Sequence, residues 1–180
     1  MKRISLTLAF LFAIAAGTPA LAQQALPIGA FFGSWTGGGV SENEDSIFFR
    51  STVRDFDVTI RPAGTGFRID WTTVIRKGGN PDKPDIRRRK SSKTLMPTGT
   101  PGVFHGTDSG DPLSGKEVCW ARLDKNTLSL FLMTVDSDGI YTLQQYDRTL
   151  SGAGMQLTFK SLSDGDRQRE VIGRLVKSGK

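Results

Sequence analysis

Between residues 117 and 177, short segments of alternating apolar and polar residues follow one another, joined by connections of only a few residues. The connections consist mainly of Asp, Asn, Ser and Gly, which favour tight turns. Because so short a connection can join only antiparallel neighbours, these segments are predicted to pair as a meander of five strands. The predicted strands are 117–123, 127–135, 139–149, 154–162 and 167–177.

The earlier part of the chain shows the same alternation. From Phe67 to Arg76 apolar residues alternate with mostly polar ones, and Pro62 to Gly66 supplies a turn that makes a hairpin with the segment before it. No window has a sustained helical period. Four further strands are predicted, at 33–40, 47–61, 66–76 and 86–95.

About nine antiparallel strands in a chain of this size favour closure of the sheet, because closure removes its exposed edges. The predicted fold class is therefore all-β, an antiparallel up-and-down β-barrel of about eight to nine strands, with an open sandwich as the alternative. Two stretches that contain several Gly and Pro residues, 77–85 and 97–115, are predicted to be long loops at the barrel rim.

The N-terminus has the pattern of a secretory signal peptide. Two basic residues precede an apolar run from Ile4 to Ala16, and Ala20-Leu21-Ala22 follows as a small-residue cleavage site. The run has 13 residues, whereas a membrane-spanning helix needs about 20. We therefore expect a signal peptide at 1–22, a periplasmic or secreted mature protein, and no transmembrane segment in the mature chain.

The remainder is predicted to be a flexible N-terminal segment, 23–30, followed by a single β-barrel domain, 31–177. The strand Leu128–Val135 is apolar on both faces, so its outer side is expected to be covered by a loop or by a second subunit.

The net charge of +6 includes two positive charges in the signal peptide. So modest a charge, together with export, predicts no nucleic-acid partner.

The composition excludes most catalytic and metal-binding designs. The chain has one His, His105, and one Cys, Cys119. A zinc site needs three or four ligands, and an internal disulfide needs two Cys. Acidic turns such as 136–139 lack the spacing of a calcium loop. The sequence predicts no metal site and no catalytic residues, and it favours a protein that is not an enzyme.

The first predicted strand opens with Gly33-Ser34-Trp35-Thr36-Gly37-Gly38-Gly39. The Gly-x-Trp part resembles the signature of lipocalins and their calycin relatives, and the longer form resembles the opening of nitrobindin-type haem barrels. The lipocalin resemblance implies that Trp35 closes one end of the barrel beneath a late arginine. Arg174 is expected to be that arginine, with Arg148 and Arg169 as alternatives. The nitrobindin resemblance implies a late haem-binding His, which this chain lacks, so no cofactor is predicted.

A ligand site is predicted inside the barrel. Phe67, Ile69 and Trp71 share one strand face, and Tyr146 comes from a later strand that barrel closure can bring near them. Plain core packing of these side chains is the alternative. Arg88 is added to the ligand-binding set, because a lumen-facing Arg88 with Lys90 would suit an anionic group on a ligand.

Three functional hypotheses follow. The first is an exported lipocalin-like barrel that binds a small, largely apolar or acyl ligand without catalysis. The second is a protein–protein interaction module, an inhibitor or an envelope-associated partner, that uses its rim loops and allows a homodimer. The third, implied by the calycin resemblance, is an isomerase or cyclase, for which a buried carboxylate facing a cavity would be the sign.

Overall fold

The computed structural model describes residues 25–43, 51–77 and 85–179. The predicted signal peptide, 1–22, lies outside the described residues, and so does most of the predicted rim loop 77–85. A short 3-10 helix, Ile28–Phe31, precedes the first strand, and a second one, Pro112–Ser114, lies in the middle of the chain.

The described strands form a closed antiparallel barrel in which each strand pairs with its neighbours along the chain and the first pairs with the last. The predicted fold class, an all-β antiparallel up-and-down barrel, is confirmed, with ten strands described where eight to nine were expected. The strands are β1 Gly33–Asn43, β2 Ser51–Ala63, β3 Gly66–Lys77, β4 Asp85–Pro97, β5 Val103–Gly106, β6 Val118–Asp124, β7 Thr127–Val135, β8 Tyr141–Ser151, β9 Gly154–Ser163 and β10 Asp166–Ser178.

The additional strand, β5, lies in the stretch 97–115 that was predicted to be a loop. It pairs with β4 and β6, so His105 lies on a strand opposite Trp120 instead of in a loop. The same stretch also contains the second 3-10 helix, in which the Asp111 carboxylate accepts a hydrogen bond from the Leu113 amide at 3.0 Å. A strand of four residues is too short to show an alternating pattern, so it could not be predicted from the sequence.

Inward-facing side chains fill one end of the barrel. Phe67 and Leu95 are directly paired across β3 and β4 and are almost fully buried. The ring of Phe104 meets that of Phe67 edge to face, with ring centroids 5.1 Å apart. This packing makes a continuous apolar core at that end, in the alternating pattern that a barrel interior requires.

The N-terminal 3-10 helix covers this filled end. Phe31 is fully buried, and its carbonyl oxygen accepts a hydrogen bond of 3.0 Å from the Trp35 indole nitrogen. Residues 28–30, expected in a flexible segment, belong to this helix. The Leu26 amide also donates to the Lys125 carbonyl oxygen at 2.7 Å, which ties the segment to the β6–β7 turn.

The expected pair of Trp35 and Arg174 is not formed. Trp35 is buried on the inner face of β1, whereas Arg174 is exposed and alternates with the inward-facing Gly173 and Leu175 of β10. Lys177 pairs with Trp35 across β1 and β10, and its ammonium lies 5.4 Å from the centroid of the indole ring. The cation over Trp35 is therefore Lys177, because a residue three positions earlier on a strand faces the opposite side.

The second apolar face of β7 is partly covered. Phe131 stacks on Trp120 of β6, with ring centroids 5.0 Å apart and planes at 10°. Both side chains are half-buried on the face opposite the buried Cys119 and Leu130. The 3-10 helix Pro112–Ser114 also contacts β7.

Candidate functional site

The barrel contains a cavity of about 440 Å³ at the end opposite Trp35 and the N-terminal 3-10 helix. That volume lies within the range of about 300–1,000 Å³ that is usual for small-molecule sites. Strands from both sides of the barrel contribute to its wall, which combines aromatic side chains deep in the lumen with basic side chains toward its mouth.

The deep part of the wall is aromatic. Trp71 of β3 and Tyr146 of β8 come from opposite sides of the barrel and meet across the lumen with ring centroids 5.4 Å apart. Phe159 of β9 packs on Tyr146, with ring centroids 4.7 Å apart. We call these three rings the aromatic floor, because they separate the cavity from the filled core. Phe56 of β2 adds a fourth aromatic side chain to the wall.

The mouth of the cavity is basic. Arg54 of β2, Arg89 of β4 and Arg169 of β10 line it, and Lys93 lies on the same face of β4 as Arg89. Arginine presents a planar set of donors that suits carboxylate, sulfonate and phosphate groups. The concentration of three guanidinium groups around one opening creates a positive potential that attracts anions.

Arg54 is the most deeply buried of these three mouth arginines. Its side chain is 7% exposed, and Nη2 donates a hydrogen bond of 3.2 Å to the Ser41 hydroxyl oxygen. In the described part of the chain its Nε atom is buried without a hydrogen-bond partner. Burial first, and then repulsion from Arg169 and Arg89, lowers the pKa of Arg54 from 12.5 to about 10. The guanidinium is therefore charged at neutral pH, and Arg54 forms part of the cavity wall.

The acidic group in the wall is already paired. Glu117 accepts an ion-pair hydrogen bond of 2.6 Å from Lys93. Burial alone would lower the pKa of Lys93, but the hydrogen bond and the charge of Glu117 raise it overall. A carboxylate held by an ammonium in this way is a poor general base, so this arrangement does not provide the unpaired buried carboxylate that the isomerase hypothesis requires.

A fourth arginine lies below the aromatic floor. Arg148 of β8 is 1% exposed, and its Cζ atom lies 5.8 Å from the Trp71 ring centroid and 5.4 Å from that of Tyr146. Burial lowers its pKa to about 10, so it too is charged at neutral pH. The sequence predicts Arg148 only as an alternative partner for Trp35, whereas it lies against the rings of Trp71 and Tyr146.

The structure places the predicted ligand-binding side chains at three locations, which are the cavity wall, the filled core and the outer face of the barrel. Trp71 and Tyr146 are in contact and line the cavity. Phe67 and Ile69 are fully buried in the core and are not part of the cavity wall, so their expected place on the ligand face is corrected. Their side chains point inward, but toward the filled end of the barrel.

The expected role of Arg88 is also corrected. It pairs with Val74 on the outer face of the barrel, whereas its neighbour Arg89 pairs with Thr73, and both members of that pair line the cavity. The prediction placed the wrong alternate pair of the run 87–90 inside. The sequence did contain a signal for Arg54, because it shares the parity of Phe56 and Val58 in an alternating strand.

In the described part of the chain, no helix is long and apolar enough to cross a membrane. The same residues contain no group of three or more His, Cys, Asp or Glu side chains placed to hold a metal ion. His105, at the barrel surface, is exposed and does not line the cavity.

No protein-family model and no curated protein matches this chain. Among solved structures it is similar to the S-type phycobiliprotein lyase CPES from Guillardia theta. The two chains are 10% identical, the match covers 83% of this chain and 89% of that chain, and the TM-score is 0.36. So distant a likeness carries no information on ligand or reaction.

Proposed function

We propose that this chain is an exported, lipocalin-like barrel that binds a small molecule with an apolar, ring-containing body and an anionic group. The anionic group lies at the mouth, against Arg54 and Arg89, and the apolar body lies on the aromatic floor. This proposal refines the hypothesis of a largely apolar ligand, since the mouth is more basic than that hypothesis requires. Binding, not catalysis, is its role.

The observation that carries the proposal is Arg54. Its side chain is 7% exposed and forms part of the cavity wall, and a charge buried in this way is costly, so an anionic group in the cavity would offset that cost. The position of Gly33-Ser34-Trp35 at the start of β1, with Trp35 at the closed end, supports the lipocalin-like assignment. Export remains proposed on the N-terminal sequence pattern alone.

A matched pair of fluorescent probes tests the proposal. The anion 1-anilinonaphthalene-8-sulfonate and the neutral N-phenyl-1-naphthylamine share the same aromatic body and differ in one sulfonate. We expect the purified protein to bind the sulfonate at one site and more tightly than the neutral probe. Arg54→Met should weaken binding of the sulfonate by at least about tenfold, since a hydrogen bond to a charged group is worth about 1.5–3 kcal/mol, and should leave the neutral probe nearly unchanged.

Arg88→Met is the matched control, because it removes the same charge from the outer face of the barrel. It should leave both affinities unchanged. Circular dichroism would establish that each variant is folded. Equal affinity for the two probes, or an equal effect of the Arg54 and Arg88 substitutions, would contradict the proposal.

A further inference from the structure

Arg148 crosses the interior of the barrel. It starts from β8, and its guanidinium reaches Trp71 of β3, which lies on the opposite side in the closed strand order. Its place on the inner face, between Tyr146 and Leu150, follows from the alternation of β8. The charge therefore lies near the barrel axis, directly beneath the aromatic floor.

This charge has little compensation. Its Nε and Nη1 atoms are buried without hydrogen-bond partners among the described residues, and no ion pair there includes it. Asp147, its neighbour in sequence, faces the other side of β8, where it accepts hydrogen bonds from Ser129 and Gln145. The two cation–π contacts offset only part of the cost of burying a charge. Arg148 is therefore expected to lower the stability of the fold.

Tyr146 connects this buried charge to the cavity. The ring of Tyr146 lies beside the guanidinium of Arg148. The same side chain lines the cavity, and its hydroxyl donates a hydrogen bond of 3.0 Å to the Gln144 side-chain oxygen. Trp71 and Tyr146 of the aromatic floor therefore contact the guanidinium and also line the cavity. Because Arg148 is only 1% exposed, bulk solvent screens its charge weakly, and its field acts on a ligand more strongly than that of a solvated surface arginine.

We propose that Arg148 is a specificity-determining residue that makes the cavity select anions, acting through the aromatic floor without touching the ligand. The inference rests on the proposed function and adds to it. Arg54 binds the anionic group directly, whereas Arg148 raises the electrostatic potential of the whole cavity. A charge that lowers the stability of the fold thereby contributes to ligand choice.

The test is Arg148→Met, which keeps an unbranched apolar stem and removes the charge. The affinity ratio of the sulfonate to the neutral probe should fall about tenfold, the effect of one unit charge at about 10 Å in a medium of effective dielectric constant about 20. The midpoint of urea unfolding should stay the same or rise. Arg88→Met, on the outer face, should change neither the ratio nor the midpoint.

The outcomes separate this inference from the proposed function. If the wild-type protein does not prefer the sulfonate, the proposed function fails, and this inference fails with it. If the wild type prefers it and Arg148→Met keeps the same ratio, only the role of Arg148 is overturned. A fall in the unfolding midpoint with equal weakening of both probes would show that Arg148 merely holds the rings in place.

Arg148→Lys provides an independent test if the Met variant does not fold. A buried amine loses its proton far more readily than a guanidinium. The ratio in this variant should therefore be higher at pH 6 than at pH 9, while the wild-type ratio stays constant. Tyr146, the titratable group that faces Arg148, has a pKa raised by burial and stays neutral over this range. A ratio independent of pH in the Lys variant would overturn the inference.

Discussion

At the scale of single residues, Trp35 shows how one side chain joins three parts of the barrel end. Its indole nitrogen donates to the N-terminal 3-10 helix, and its ring lies beneath the ammonium of Lys177 on β10. Lys177 is exposed, so its contact with the ring belongs to the weaker class of cation–π interactions. The hydrogen bond and the burial of Trp35 should therefore matter more than the cation.

Lys177→Met is expected to lower the free energy of unfolding by about 0.5–1 kcal/mol, the usual value of an exposed cation–π contact. Arg174→Met, on the outer face of the same strand, should change it by less than about 0.5 kcal/mol. Urea unfolding followed by tryptophan fluorescence measures both. A larger effect for Arg174 than for Lys177 would restore the pair that the sequence predicted.

Cys119 gives a pH-dependent prediction. The side chain is 3% exposed, and burial raises the pKa of its thiol from 9.0 to about 11. In the unfolded chain the thiol loses its proton at lower pH, so the unfolded state binds fewer protons between pH 9 and 11. The stability that comes from keeping the thiol neutral is therefore complete below pH 9 and is lost as the pH approaches 11.

The difference in unfolding free energy between wild type and Cys119→Ala isolates this effect, because other titrating groups cancel. The advantage of the wild type should shrink by about 1–2 kcal/mol from pH 8 to pH 11. A constant difference across that range would mean that the thiol titrates in the same way in both states. The cavity left by Ala lowers stability at every pH and does not alter the comparison.

Residue parity explains which site residues could be predicted. Alternation placed Trp71 inside from sequence alone, since its strand has one clearly apolar face. The run Arg87 to Lys90 has no such face, so the run alone does not indicate whether Arg88 or Arg89 faces the lumen. The register with β3 decides it, because Arg89 lies opposite the inward-facing Thr73. A shift of one residue exchanges the two faces, and register is a property of the paired strands.

At the scale of elements, β1 depends on its glycines. Gly37 and Gly39 lie on the inner face, where β1 and β10 approach closely. A Cβ atom added to Gly39 would overlap the carbonyl oxygen of Ile172, which is backbone and cannot easily move. Gly38 lies between them on the exposed face, and a Cβ there would be 3.3 Å from the nearest atom, the Arg54 carbonyl oxygen.

Gly39→Ala is therefore expected to lower the free energy of unfolding by about 1–3 kcal/mol, the usual range for overpacking. Gly38→Ala should stay within about 1 kcal/mol of the wild type, because its side chain enters solvent. Thermal unfolding of the two variants measures the difference. Equal effects would indicate that β1 and β10 can separate without cost.

The elements themselves were largely predictable. Long alternating runs and short turns identified β2, β3 and the meander from β6 to β10, since each covers enough residues to show a period of two. β5 was not predicted because the segment Val103–Gly106 is too short to show an alternating pattern. The N-terminal 3-10 helix was missed for a related reason: Phe31 is fully buried only because the barrel end is there to receive it.

At the scale of the whole molecule, closure of the barrel produces two unlike ends. One end is filled by apolar side chains and covered by the 3-10 helix, while the other holds a cavity with aromatic walls and a basic mouth. Arg54 and Arg148 are both buried charges that the fold leaves incompletely satisfied. An anionic ligand in the cavity, as proposed above, would offset part of the cost of burying these charges.

A nuclear magnetic resonance titration of the isotope-labelled protein with 1-anilinonaphthalene-8-sulfonate tests directly whether the lumen binds an anion. We expect saturating shifts at one site per chain, at the Trp71 indole, the Arg54 guanidinium and the backbone of Ser161. The exposed Gly38 and Val40 on the outer face should not shift. Shifts confined to the outer face, or none at saturating probe, would contradict a barrel that binds an anion in its lumen.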